Sequence, residues 1–370
     1  MRADRRHFIK QTLAASLMPA LTGITAWGGG SGSAIGATVP TPTTRTWQMG
    51  FAATPTRPDV PTLLHGMDLW SQRAELLIIH EAPPWKDLLG GVSPEAILTR
   101  DKVQLVQYAR SKGLKLVFMH DLTNGLDRSA EEPTLLATGH SLTEAAVQQI
   151  YRGYALTVAR MLKPEYMGLA AETNLTRSLA PAPVYAAVVQ AANACAADLR
   201  SAAYGGVVFC SVQVDTAWGA FALGNKSFVG IATDLRDFAF VQMWGLSSYP
   251  YFSYAQPEDI PADYYSRLLS GVKVPAMVTE GGWTSGAVGS IQSSPDAQAR
   301  YIQRHAQLLD SINAKGVIQL MYADLDLSRW PSPQPPNLPL FAQLGLVDKN
   351  FAAKAGLAQW DKLFARTRVA

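Results

Sequence analysis

A chain of 370 residues that is 48% hydrophobic and only 16% charged has ample material for a large core, and its composition excludes a disordered chain. The formal net charge of +3 is misleading: the 32 basic and 29 acidic residues include Arg2, Arg5, Arg6, Lys10 and Asp4 near the start, and without these 28 of each sign remain. No basic face is left for a phosphate backbone, so nucleic acid is excluded as a partner class, and no apolar stretch of spanning length follows the N-terminal segment, so no membrane partner is expected after processing.

In chain order, the first element is a segment rather than a fold. Asp4-Arg5-Arg6-His7-Phe8-Ile9-Lys10 resembles a bacterial twin-arginine export signal. A weakly apolar stretch from Thr12 to Trp27 follows, then small residues from Ser33 to Ala37. This order predicts a cleaved signal over 1–37, with the periplasm or the exterior as destination, and an extended Pro- and Thr-rich lead-in over 38–46.

From residue 47 to 370 the chain alternates short apolar runs with longer helical patterns, which predicts a single domain. Strands are expected over 47–53, 76–80, 114–120, 166–171, 206–211, 241–247, 275–279 and 317–322. Helices are expected over 62–71, 94–111, 142–162, 184–202, 262–269, 296–314 and 352–364, with a weaker one inside 221–235. Ser93-Pro94-Glu95 reads as a helix start, and Ser141-x-x-Glu144 as a capping box. Eight βα units predict a closed (β/α)8 TIM barrel. A doubly wound sheet is the structural alternative, but no Gly-rich phosphate fingerprint follows the first strand. The long connections 121–140 and 324–343 then fall on the barrel's C-terminal face, where active sites are built.

Two glutamates stand directly after apolar runs, Glu172 in Tyr166-Met-Gly-Leu-Ala-Ala-Glu172 and Glu280 in Pro275-Ala-Met-Val-Thr-Glu280. Glycosidic cleavage needs such a pair, one carboxyl to protonate the leaving oxygen and one to attack or to activate water. Their places after strands four and seven resemble clan A of the glycoside hydrolases, the retaining barrel enzymes. Gly245-Leu-Ser-Ser-Tyr249-Pro-Tyr251 is similar to that clan's sixth-strand segment, with some likeness to arabinogalactan endo-galactanases, and Thr279-Glu280-Gly-Gly-Trp283 to its nucleophile strand. The resemblance implies a carbohydrate substrate, Glu172 as acid/base, Glu280 as nucleophile and Tyr249 beside the nucleophile. The clan has Asn before its strand-four Glu; Ala171 stands there, and Asn174 is the nearby amide able to replace it as a sugar contact.

His80 and His120 end strands two and three, each followed by an acid, and read as ligands for sugar hydroxyls. Among tryptophans near strand ends, Trp283 and Trp330 are the candidates for stacking on a sugar ring. No metal or other cofactor is expected. Two further function classes stay open: a carbohydrate-binding barrel without catalysis, and a metal-dependent hydrolase using His80 and His120. Cys195 and Cys210 make no disulfide framework, though a bridge between them remains open, and the chain is read as a monomer.

Overall fold

The computed structural model describes residues 42–220 and 227–369. The expected export signal, its arginine pair and the first residues of the lead-in lie outside the described residues. Eight parallel strands close into a barrel: β1 Gln48–Ala52, β2 Leu76–Glu81, β3 Lys115–His120, β4 Tyr166–Gly168, β5 Val207–Gln213, β6 Met243–Ser248, β7 Ala276–Gly281 and β8 Gly316–Gln319. Neighbours in sequence are neighbours in space, and β1 closes onto β8 with Met49 opposite Val317. The sheet is covered outside by helices, so the strands are buried along nearly their whole length, as continuous apolar runs require. This is the expected (β/α)8 barrel. A short parallel ladder, Thr44–Arg45 with Thr367–Arg368, lies apart from it.

Several helices start where the sequence signals them. Asp59, Ser93 and Ser294 each accept a hydrogen bond from the backbone three residues on, with Pro in the first turn. Such caps contribute about 1 kcal/mol each. Other boundaries differ for physical reasons. The helix expected over 94–111 is two helices, Pro94–Asp101 and Val103–Ser111, broken at Lys102, whose buried ammonium pairs with Glu81 at the end of β2. The helix expected from 142 begins at Ala145. Glu144 does accept from the Ser141 N–H, but the Ser141 hydroxyl donates to Glu131, so the motif closes a turn in front of the helix. Residues 262–271 are turns, not a helix. Cys195 and Cys210 are free and buried. No helix among the described residues is long and apolar enough to cross a membrane.

Two irregularities shape the C-terminal mouth of the barrel. β4 is only three residues long, and a Cβ on its last residue, Gly168, would meet Met119 Sδ at 2.0 Å. Beyond it the chain still follows β5, with Leu169 N donating to Phe209 O and the Glu172 N–H donating to Ser211 Oγ at 2.9 Å. Between β6 and β7 the register slips, so that Leu246 faces Val278 but Ser247 faces Glu280, leaving Thr279 as an extra residue. A bulge of this kind re-aims the side chain that follows it.

Candidate active site

Alternation along β2 and β3 sorts the acid and histidine pairs at their ends. His80 faces the mouth, whereas Glu81 and its register partner His120 face the helix layer. Glu81 meets Lys102 there. His120 is fully buried, packs on Phe118, Tyr151 and Tyr154, and neither ring nitrogen has a hydrogen-bond partner among the described residues. Burial lowers its pKa to about 3, so the ring is neutral. Asp121, one residue on, returns to the face of His80. The structure therefore brings His80 to the mouth and leaves His120 behind the sheet.

At the mouth the charged side chains form a continuous chain. His80 Nδ1 lies 3.0 Å from Glu280 Oε2, and His80 Nε2 lies 3.3 Å from Asp121 Oδ2. Asp121 Oδ1 accepts from Arg128 Nη1, and Arg128 Nε donates to Glu172 Oε2 at 2.9 Å. Ser247 Oγ then donates to Glu172 Oε1 at 2.6 Å, and Ser247 is the register partner of Glu280. The two glutamates are thus joined through the ion-pair chain, and Ser247 places a hydroxyl donor on Glu172 from the strand beside Glu280. All of these groups are less than one-tenth exposed.

Their charges are set by these neighbours. Burial pushes the Glu172 carboxyl up, to about 7, with Glu280 adding to the rise and Arg128 and Ser247 opposing it. Burial presses His80 down, but Asp121 and Glu280 outweigh it and raise the imidazole to about 9, so it is an imidazolium at neutral pH. Tyr249, just beyond β6, rests against Tyr251, Phe252 and Phe341. Its hydroxyl has no hydrogen-bond partner among the described residues; burial, then the charges of Glu280 and Glu172, raise its pKa well above the ordinary value.

The remaining expected site residues take other places. The Asn174 amide is engaged by the backbone: Nδ2 donates to Gln213 O, and Oδ1 accepts from Leu175 N and Gln213 N. Trp283 is buried against Tyr301 and Tyr251, with its indole N–H on Ser293 Oγ. Trp330 is 8% exposed and donates to Thr56 O. Ala171 is buried and brings no polar atom. Conversely, Arg128, Ser211 and Ser247 carry the geometry without having been singled out from the sequence, and Asp121 entered there only as the acid that follows His120. Position at or near a strand end is the one signal for Asp121, Ser211 and Ser247, whereas Arg128 lies out in the loop after β3. Among the described residues no group of three or more His, Cys, Asp or Glu side chains converges as a metal site.

The fold and this cluster define a (β/α)8 barrel with two buried carboxyls at its C-terminal mouth. No family model matches the chain, and no curated protein sequence matches it. Solved structures match it in fold. One is the exo-beta-1,4-mannosidase Op5Man5 from Opitutaceae bacterium strain TAV5, with TM-score 0.64 and 14% identity over 87% of this chain; the match spans only 60% of that enzyme. Another is GH5_18 from Streptomyces cattleya in complex with GlcNAc, with TM-score 0.63 and 16% identity over 88% of this chain and 82% of that one. A third is xylanase 10B from Thermotoga petrophila RKU-1 in complex with xylobiose, with TM-score 0.59 and 14% identity over 86% of this chain and 94% of that one. At these identities the likeness is one of fold.

Proposed function

We propose that this chain is a retaining glycoside hydrolase acting on a poly- or oligosaccharide, with Glu172 as acid/base and Glu280 as nucleophile. The observation that carries this reading is the ion-pair chain that joins two buried carboxyls in contrasting surroundings at the barrel mouth. Glu172 titrates near neutrality, where a group can both give and take a proton. Glu280 Oε2 lies 3.0 Å from His80 Nδ1, an ion-pair contact that fixes this carboxyl at the mouth. The fold-level likeness to a mannosidase, a GH5_18 protein and a xylanase supports the same class.

In the first step Glu172 gives its proton to the glycosidic oxygen as the bond from that oxygen to the anomeric carbon breaks, and Glu280 forms a bond to that carbon. In the second, ionised Glu172 takes a proton from water, the water oxygen attacks the anomeric carbon, and Glu280 is released as a carboxylate. The test uses the two alanine variants on activated aryl glycosides with added azide. Glu172→Ala keeps turnover on leaving groups that need no protonation, and azide accelerates it. Glu280→Ala is inactive there, and azide returns a product of opposite anomeric configuration. Wild-type rates in both variants would remove the assignment, and sugar binding without turnover by the unmutated chain would leave the binding-barrel reading.

We also infer twin-arginine export from Arg5-Arg6. Replacing both with Lys is expected to leave the precursor in the cytoplasm; normal processing of that variant would count against it.

A further inference from the structure

We propose that Arg128 is a positioning residue for the reaction inferred above, a guanidinium fixed on Glu172 that stabilises this carboxyl in the ionised form needed for the water-activating step. The inference rests on that reading of Glu172. Its basis is geometric. Arg128 is fully buried, and its hydrogen bonds run inward: Nε to Glu172 Oε2 at 2.9 Å, Nη1 to Thr123 Oγ1 at 3.1 Å and to Asp121 Oδ1. A guanidinium engaged on three protein groups is held as an electrostatic clamp rather than presented to a sugar.

The loop that carries it is itself pinned. Thr123 bridges Glu131 in an antiparallel pair, and Asn337, from the long loop after β8, donates to Leu126 O at 2.9 Å. Arg128 is therefore placed by two of the mouth's long connections at once.

Both oxygens of Glu172 accept hydrogen bonds, Oε2 from Arg128 and Oε1 from Ser247. That is the hydrogen-bonding pattern of a carboxylate, the form that takes a proton from water. In the acid form one oxygen must donate, and the Ser247 hydroxyl can reverse its role and accept, whereas a guanidinium has no acceptor. Ser247 is thus compatible with both forms of the cycle, and Arg128 biases it toward the second. The charged and titratable groups around Glu172 are Arg128 from the loop after β3, Glu280 from β7 and Tyr249 from beyond β6, with Asp121 and His80 behind Arg128. Of these, Arg128 is the cation in direct contact, and it opposes the rise that burial and Glu280 impose.

The test reads Glu172 without any sugar. In the full chain labelled with carboxyl-13C glutamate, the Glu172 resonance is assigned by its loss in Glu172→Gln and titrated in wild type, Arg128→Gln and Arg128→Lys. Arg128→Gln is expected to raise the midpoint by roughly 1–3 units. Arg128→Lys, which keeps the charge but not the fork, is expected to recover most of that shift. Melting curves of both variants follow any loss of the loop's packing. An unchanged midpoint in Arg128→Gln overturns the proposal, and so do equal rises in both variants, which would make packing rather than charge the cause. The acid/base reading fails on a different result, wild-type turnover by the alanine variants, so the two can fall separately.

Discussion

Two buried polar networks meet at the end of β6, and they are built differently. On one side Asp215 accepts from the Tyr264 hydroxyl at 2.7 Å and from Gln213 Nε2 at 3.0 Å, while the Tyr265 hydroxyl bridges Ser248 Oγ and His305 Nε2. Both oxygens of its one carboxylate are satisfied. On the other side lie Glu280, His80, Asp121, Arg128 and Glu172, and there Glu280 Oε2, His80 Nε2 and Asp121 Oδ2 sit at ion-pair distances with no hydrogen bond among the described residues. Native cores pair nearly all their buried polar atoms. One network therefore satisfies its carboxylate with neutral donors, whereas the other balances three carboxyl groups against the two cations His80 and Arg128.

The comparison breaks most sharply at two tyrosines. Tyr264→Phe takes a donor from buried Asp215 and is expected to cost about 1–3 kcal/mol in denaturant melts, with turnover per folded molecule unchanged. Tyr249→Phe removes a hydroxyl that has no partner, so its stability should stay within about 0.5 kcal/mol of wild type while sugar turnover falls. The reverse pattern would dissolve the distinction between the networks.

Two histidines sharpen it further. Burial lowers His305 to about 3, whereas His80, equally buried, is raised to about 9 by its carboxylate neighbours. Between about 3 and the ordinary value near 6.5, the folded state binds fewer protons at His305 than the unfolded chain does, so stability falls as pH falls through that window. His80 behaves oppositely: its contribution is complete below about 6.5 and is lost as pH rises toward 9. Melting temperature against pH should thus flatten on the acid side in His305→Gln, with His120 retaining part of the slope, and on the alkaline side in His80→Gln. An unaltered alkaline side in His80→Gln would remove the imidazolium between Asp121 and Glu280.

The strand count and the order of the barrel were legible because buried parallel strands read as short apolar runs between amphipathic helices. Glu280 was legible for the same reason, since it ends such a run. Glu172 was read as ending a longer strand than the three residues that form β4; the apolar run continues through Leu169-Ala170-Ala171, where the chain leaves the ladder yet stays beside β5. The two histidines looked equivalent in sequence, and only the pleat separates them, sending His80 into the mouth and His120 against Tyr151 and Tyr154. Arg128 was hidden by its setting. Asn124-Gly125-Leu126-Asp127-Arg128-Ser129 has the composition of a solvated turn, and nothing local marks one of its side chains as fully buried. Long-range partners such as Asn337 decide that, and no window of sequence contains both.

Glu172 adopts φ 46° and ψ 50°, left-handed values in which a side chain crowds its own carbonyl. The conformation costs roughly 1–2 kcal/mol for a residue with a Cβ. Glycine would occupy the position without that strain, and burial of a carboxyl adds a second penalty. A designer optimising thermal stability alone would replace this residue early. For the acid/base proposed above, selection for durability and selection for chemistry pull in opposite directions at this position, so stabilising the scaffold by consensus or computation has to exempt it.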